Sequence, residues 1–476
     1  MWSGWLFSLL LFAGWAIMGA RQRFKPLPER VGVAWPMRAA GQVCFLSDAS
    51  WFDDRGERHL EQGIFDETLA MIEQAQRLVV LDAFLFNDFA AGNDTAGLRP
   101  LCAELTDALL AQKRRYPGLQ AVVITDPFNT LYGGLAPRHF ERLRRAGVRV
   151  VFTDLDRLRA SNPLWSGLWH LGPRWLGNSV RGGWLPNALG PGRVTLRSYL
   201  AMLNFRANHR KTLVVDRGDG WAGLVTSANP HDASSLHGNV ALRFTGDAAL
   251  DLLASERAVA AWSGVTLPGP VPLAEAPAAG NKGLQLLTEG AIRDALLAAI
   301  EASGEGDRLD LEVFYLAHRR VIGALKQARR RGVEVRALLD PNRDAFGLEK
   351  SGIPNRPVAR ELIEAGIAVR WCATRGEQCH SKLLLRRPVG GGLQELILGS
   401  ANFTRRNLDD FNLETSVRLL DAPGSPALEQ AVAFFERRWE SSPERTTSEP
   451  FAAHDDATTW QRLRYRIMEA TGLSTF

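Results

Sequence analysis

Asn208-His209-Arg210-Lys211-Thr212-Leu213-Val214-Val215-Asp216 is followed, past Arg217 to Gly220, by an apolar run ending Thr226-Ser227-Ala228-Asn229. Cys379-His380-Ser381-Lys382-Leu383-Leu384-Leu385 is followed, past Pro388 to Gly392, by a run ending Gly399-Ser400-Ala401-Asn402. In a strand, side chains two apart project to one face, so the His and Lys of each H-x-K point together. The Gly-rich turn folds the next run back as an antiparallel partner. That brings Ser227 and Asn229, or Ser400 and Asn402, beside the opening of the H-x-K strand. Each passage therefore predicts an imidazole, an ammonium and two neutral hydrogen-bonding groups at one sheet edge.

What precedes each hairpin is also written twice. Helical stretches over 65–76 and 291–302 lead into the strands Leu78-Val79-Val80-Leu81 and Leu309-Asp310-Leu311-Glu312-Val313. Ala121 to Asp126-Pro127 and Val335 to Asp340-Pro341 follow, each with proline stopping the ladder. Each then enters a helix closing on Ala-Gly, at 146–147 and 365–366. Strands alternating with helices predict an α/β chain of two tandem halves, each a mixed sheet flanked by helices. The halves are placed at 61–262 and 286–440, after a lead-in at 21–60 and before a tail at 441–476. A Pro- and Ala-rich linker covers 263–285. Gly147 lies 62 residues before His209, but Gly366 lies only 14 before His380. The first half thus carries an extra segment, at about 156–203.

The chain has 476 residues, with 57 Lys and Arg against 52 Asp and Glu, a net charge of +5. So small an excess excludes a dedicated nucleic-acid coat, and no nucleic-acid partner is expected. Four cysteines in this length exclude a disulfide-stapled scaffold. Cys372 and Cys379, without further ligand spacing, read as core residues rather than zinc ligands. Residues 1–20 hold no charged side chain. At ~1.5 Å per residue they would span ~30 Å, one bilayer core. No basic residue precedes them, as a cleaved signal would require. Arg21, Arg23, Lys25 and Arg30 follow, a bias that places the body on the cytoplasmic side. The expectation is a single-pass anchor in the cytoplasmic (inner) membrane.

Doubling the H-x-K unit supplies two imidazoles and two ammonium groups to a common cleft, which suits a phosphodiester. His209 and His380 can divide attack on phosphorus and proton transfer between them. Lys211, Lys382 and the Ser/Asn groups can hold phosphoryl oxygens. The protein itself provides the positive charge, so the chemistry calls for no metal and no cofactor. These residues and spacings resemble the phospholipase D superfamily, whose repeated motif is H-x-K-x4-D followed by G-S-x-N. Membrane-anchored bacterial members of this look include cardiolipin synthase-like phosphatidyltransferases. The resemblance implies a phosphohistidine intermediate, phospholipid as the partner, and supporting roles for Asp216, Ser227, Asn229, Ser400, Asn402 and Glu414. Arg387 stands where the second half would carry the motif aspartate, and Thr226 where the first would carry glycine. A carboxylate twelve residues past the motif asparagine is present as Glu414, but its counterpart is Ala241, with Asp232 and Asp247 as substitutes. Glu414 favours His380 as nucleophile and family analogy favours His209, so neither role is assigned.

Trp165, Trp169, Trp175 and Trp184, set among leucines and broken by Gly and Pro, read as a surface that dips into a lipid interface. The competing reading packs them in a local subcore. The functions carried forward are a phosphatidyltransferase, including cardiolipin formation, and a hydrolase releasing phosphatidic acid. A nuclease of the same superfamily and a non-catalytic membrane scaffold stand as alternatives.

Overall fold

The computed structural model describes every residue except 1, 40, 90–96, 271–281, 346, 347, 350 and 475, and describes only the backbone of 2–4, 344, 345, 348 and 349. Most of the expected linker thus lies outside the described residues.

Two eight-stranded mixed sheets carry the fold. From one edge, the first runs Arg58–Gln62, Val43–Phe52, Asn239–Thr245, Gly220–Thr226, Lys211–Arg217, Leu78–Ala83, Gln120–Thr125, Arg149–Phe152. The second runs Gly283–Thr288, Thr415–Asp421, Gln394–Gly399, Lys382–Arg387, Arg308–Val313, Glu334–Leu339, Ala368–Cys372, Ser448–Pro450. Seven strands correspond one to one, and only the edge strands Arg58–Gln62 and Ser448–Pro450 are private to one half. In each, three parallel strands adjoin an antiparallel meander that begins at the H-x-K strand. The parallel strands read as continuous apolar runs because helices cover them.

Val225, Val240 and Leu242 of one sheet share a core with Leu396, Leu398 and Val417 of the other, so the halves meet face to face along their meanders. The seam is symmetric in hydrogen bonds. His209 N–H donates to Leu413 O at 2.9 Å, and His380 N–H donates to Gly238 O at 2.8 Å.

Three expected boundaries move. The first sheet starts at Val43, inside the stretch read as lead-in, with that strand in the place Gly283–Thr288 takes in the second sheet. The lead-in pairs at Ala34 and Arg38 with Leu287 and Leu284 of the second sheet's edge. The tail is ordered: Ser448–Pro450 pairs with Ala368–Cys372, and Thr459–Thr471 is a helix with a Thr458/Gln461 capping box.

The membrane-spanning anchor expected at 1–20 is not shown. A helix does form, over Trp2–Phe24, but no helix of the described residues is long and apolar enough to cross a membrane. Its last turn takes in Arg21, Gln22 and Arg23, and its C-terminal half is bound to the body. Gly19 and Gly167 let it lie against the helix Pro163–Leu171: a Cβ on either would come within 2.8 Å of the other helix's backbone. The basic residues read as an orientation signal are engaged too. The Arg23 guanidinium stacks 4.0 Å over Phe411, and Lys25 Nζ bonds to Gln22 and Asp156 O. Residues 5–12, by contrast, are exposed on every side.

Candidate active site

Each H-x-K strand starts at its lysine, with the histidine one step outside the ladder at the seam. Two carboxylates fix that step. Asp126 Oδ2 accepts Asn208 N–H at 2.7 Å, and Asp340 Oδ2 accepts Cys379 N–H at 2.8 Å, so each parallel strand's terminal Asp-Pro holds the residue before a histidine. Burial pushes both carboxyls up to about 7. The sequence reading had noted these repeated aspartates only as strand ends.

Each histidine takes its ring partner from the opposite half. His209 Nδ1 lies 3.0 Å from Glu414 of the second half, and His380 Nδ1 lies 3.1 Å from Asn239 Oδ1 of the first. This corrects the sequence expectation twice. Glu414 serves His209 rather than His380, and its counterpart is Asn239 rather than Asp232 or Asp247. Asp232 instead accepts Cys102 N–H at the start of another helix. The crossed pairing was invisible to a count of residues within one half.

Ser400 Oγ and Asn407 Nδ2 both donate to Glu414, and Ser227 Oγ donates to Asn239 Oδ1 at 2.9 Å. The serines read as phosphate holders thus orient the histidines' partners. Asn229 Oδ1 accepts Leu85 N–H at 3.3 Å, while Asn402 Oδ1 is buried without a partner and is available to a ligand. Asp216 is removed from the site: its carboxylate collects the N–H groups of Gln76, Arg77 and Leu78 at the far end of the strand. In the second half Arg387 reaches Asp310 and Glu436 instead, so the two strand ends are closed by opposite charges. At Gly399 a Cβ would sit 2.3 Å from Thr415 O. Thr226 has room, and its hydroxyl donates to Val240 O.

Lys211 and Lys382 are fully buried, each donating to the carbonyl of its own histidine, at 2.7 and 2.6 Å. Phe84 and Phe314, at matching positions, lie under the histidine and lysine of each half. Burial lowers all four proton affinities. His209 falls to about 4 despite Glu414, and Lys211 to about 7. His380 falls well below the usual imidazole range, through burial and then Lys382, with Lys211 and His209 adding to it. Lys382 falls well below the usual ammonium range through burial and the nearby Lys211. Burial would raise Glu414, but His209 and Lys211 outweigh it and keep it ionised. In the resting site a neutral His209 thus donates Nδ1–H to a carboxylate and keeps an Nε2 lone pair. His237, not singled out from sequence, stands 5.9 Å from His380, ring centre to ring centre.

Beside the site, Cys379 is joined to Cys372 in a buried disulfide, so neither is a free thiol. The four insertion tryptophans separate. Trp169 is buried at 5% exposure with Arg197 stacked on it, the subcore alternative. Trp165 is half-buried and donates to Leu200 O, whereas Trp175 and Trp184 stand out at 74% and 61% exposure.

Residues 296–439 match the family model described as cardiolipin synthase, PLD-like domain. No curated protein sequence matches the chain. Among solved structures, a phosphatidylserine synthase from Haemophilus influenzae Rd KW20 is 10% identical, with 92% of this chain and 95% of that one covered and a TM-score of 0.57, a likeness of fold. A polyphosphate kinase from Porphyromonas gingivalis is 14% identical over 91% of this chain, with a TM-score of 0.47; the chain covers 54% of the kinase, about half its length. Nuc of Salmonella typhimurium, a phospholipase D family member, is 20% identical over 34% of this chain and 97% of its own, with a TM-score of 0.26.

Proposed function

We propose that this chain, whose residues 296–439 match a PLD-like domain model, is a phospholipase D-type, membrane-associated phosphatidyltransferase acting on glycerophospholipids through a phosphohistidine on His209. The observation that carries the reading is the crossed seam, which puts both H-x-K pairs in one buried site and gives the two histidines unequal partners.

Glu414 makes His209 the nucleophile. Its carboxylate holds Nδ1–H, aims Nε2 outward and stabilises the positive ring that forms when Nε2 bonds to phosphorus. As the N–P bond forms, the bond from phosphorus to the leaving oxygen breaks. His380 supplies the proton to that oxygen. A neutral amide partner stabilises imidazolium less than a carboxylate does, so His380 releases its proton readily, and the bound anionic phosphate favours its protonation beforehand. His380, now neutral, takes the proton of an acceptor hydroxyl, whose oxygen attacks phosphorus and frees His209. Lys211 and Lys382, and the Asn402 amide through its Nδ2–H groups, serve the phosphoryl oxygens.

Burial of both histidines and both lysines supports transfer to an alcohol over hydrolysis by bulk water. The exposed apolar residues of the N-terminal helix and the insertion support a membrane-borne substrate. The phosphatidylserine synthase sharing the fold and the cardiolipin synthase domain model support the same class. The test is to incubate purified protein with phosphatidylglycerol and phosphatidylethanolamine and resolve the lipids. Cardiolipin is the expected product; phosphatidic acid alone would make the enzyme a hydrolase, and no lipid product would overturn the phospholipid reading.

A further inference from the structure

Among the described residues, all but three of the exposed large apolar side chains (Leu60, Ile363 and Val389) lie in three segments: the N-terminal helix, the insertion, and the C-terminal helix with its trailing residues. These segments meet at an open cavity of about 780 Å³, within the roughly 300–1,000 Å³ of small-ligand sites. Trp15 and Leu168 form one wall, and Ile353, Met468 and Phe476 the other. Of its polar side chains, Asn162 bonds Trp165 N–H and Leu203 O, the Ser474 hydroxyl bonds Phe476 O, and Ser351 is exposed. The walls therefore offer mainly hydrocarbon. Arg464 stands exposed at the rim.

The inner wall leads to the catalytic histidine. The Phe476 ring lies 6.1 Å from Tyr315, Tyr315 lies 4.0 Å from Phe314, and Phe314 lies 5.3 Å from His380, centre to centre. Phe205, also on the groove, precedes His209 by four residues. One end of the groove thus opens on the apolar surface, and from its inner wall Tyr315 and Phe314 stack in turn toward His380. An amphiphile with its phosphate at the histidines needs that arrangement for its tail.

Taking a phospholipid as the substrate, as proposed above, we infer that this groove is an acyl-chain site, holding one hydrocarbon chain of the membrane glycerophospholipid whose phosphodiester is cleaved. Apolar burial supplies the affinity, and the cation at the rim suits an anionic lipid surface.

Leu168→Trp and Met468→Trp fill the groove from opposite walls without touching the histidines or lysines. The readout is kcat/KM for dioleoyl phosphatidylglycerol divided by that for the water-soluble dihexanoyl lipid. Displacing two or more buried methylenes should lower this ratio about tenfold in both variants, with vesicle partition retained. An unchanged ratio, through equal loss on both lipids or none on either, overturns the acyl-chain site. So does an unchanged ratio with altered oligomeric mass, which would make the groove a seat for a second copy. His209→Ala protein supplies a readout without turnover: native mass spectra should retain dioleoyl phosphatidylglycerol, and Met468→Trp added to it should lose the lipid. Wild type inert toward both lipids would defeat the phospholipid reading, while the binding measurement would still decide the groove.

Discussion

Glu414 and Asn239 occupy equivalent places in the two halves, and the difference between a carboxylate and an amide separates two otherwise matching imidazoles. Glu414→Gln keeps a hydrogen-bonding shape but removes the charge that supports a phosphorylated ring. Turnover should fall by about 10²-fold or more. Asn239→Asp should instead retain most turnover and move the acid limb of the kcat profile upward, because a carboxylate raises the basicity of His380. Measuring kcat across pH for both variants checks the assignment, and equal losses would reverse or erase the roles given to the two histidines. The free enzyme makes a second prediction. His209 is depressed to about 4, so it loses its lone pair only as pH falls through about 4 rather than through its usual range. Lys211 is depressed to about 7, so its charge is present below about 7 and lost above. The kcat/KM profile should therefore have its plateau between those values, and an acid limb near 6.5 would show His209 to be solvated. The sequence made the pairing of each histidine with its lysine legible, since H-x-K at period two puts both on one face. Their orienting groups were not legible, because Glu414 and Asn239 act across the seam and Asp126 and Asp340 act through backbone amides.

The repeat let most elements be read in pairs: strands ending in Asp-Pro and helices ending in Ala-Gly occur in both halves at matching places. What the repeat did not supply was Val43–Phe52, which matches Gly283–Thr288 only in its place in the sheet, and two elements without a counterpart, the strand Ser448–Pro450 and the N-terminal helix. That helix looked like a span because residues 1–20 are uncharged, yet whether a helix crosses a bilayer or rests on a body depends on what packs beside it. Here Gly19 against Gly167 binds its C-terminal half to the insertion, leaving residues 5–12 bare. The insertion tryptophans should accordingly divide in their effects. Trp169→Ala removes a buried ring and should destabilise the protein by about 3–5 kcal/mol, lowering the melting temperature. Trp175→Ser with Trp184→Ser should leave melting nearly unchanged and weaken partition into phosphatidylglycerol vesicles about tenfold, given ~1.4 kcal/mol per decade. Melting and vesicle sedimentation on the same preparations test both, and the reverse pattern would place the membrane-facing surface elsewhere.

Across the whole molecule, duplication stacks two ammonium groups and two imidazoles at one seam, and none has the proton affinity it would have alone. Lys211 lowers Lys382, Lys382 and Lys211 lower His380, and burial lowers all of them. Burial is the largest cause for each group, and the halves add to it: Lys382 lowers His209, while Lys211 lowers Lys382 and His380. A bound phosphate reverses the balance: its negative charge favours the protonated form of every group facing it. Anion binding should therefore take up protons wherever the free site has shed them, which for Lys211 means at and above about pH 7. Titration calorimetry of inorganic phosphate at pH 8, in buffers of differing ionisation enthalpy, should give apparent heats whose slope reports net proton uptake by the complex. Affinity should weaken as pH rises further, because binding must then supply protons from a scarcer pool. Zero uptake in the wild type would mean that Lys211 already holds its proton in the free site.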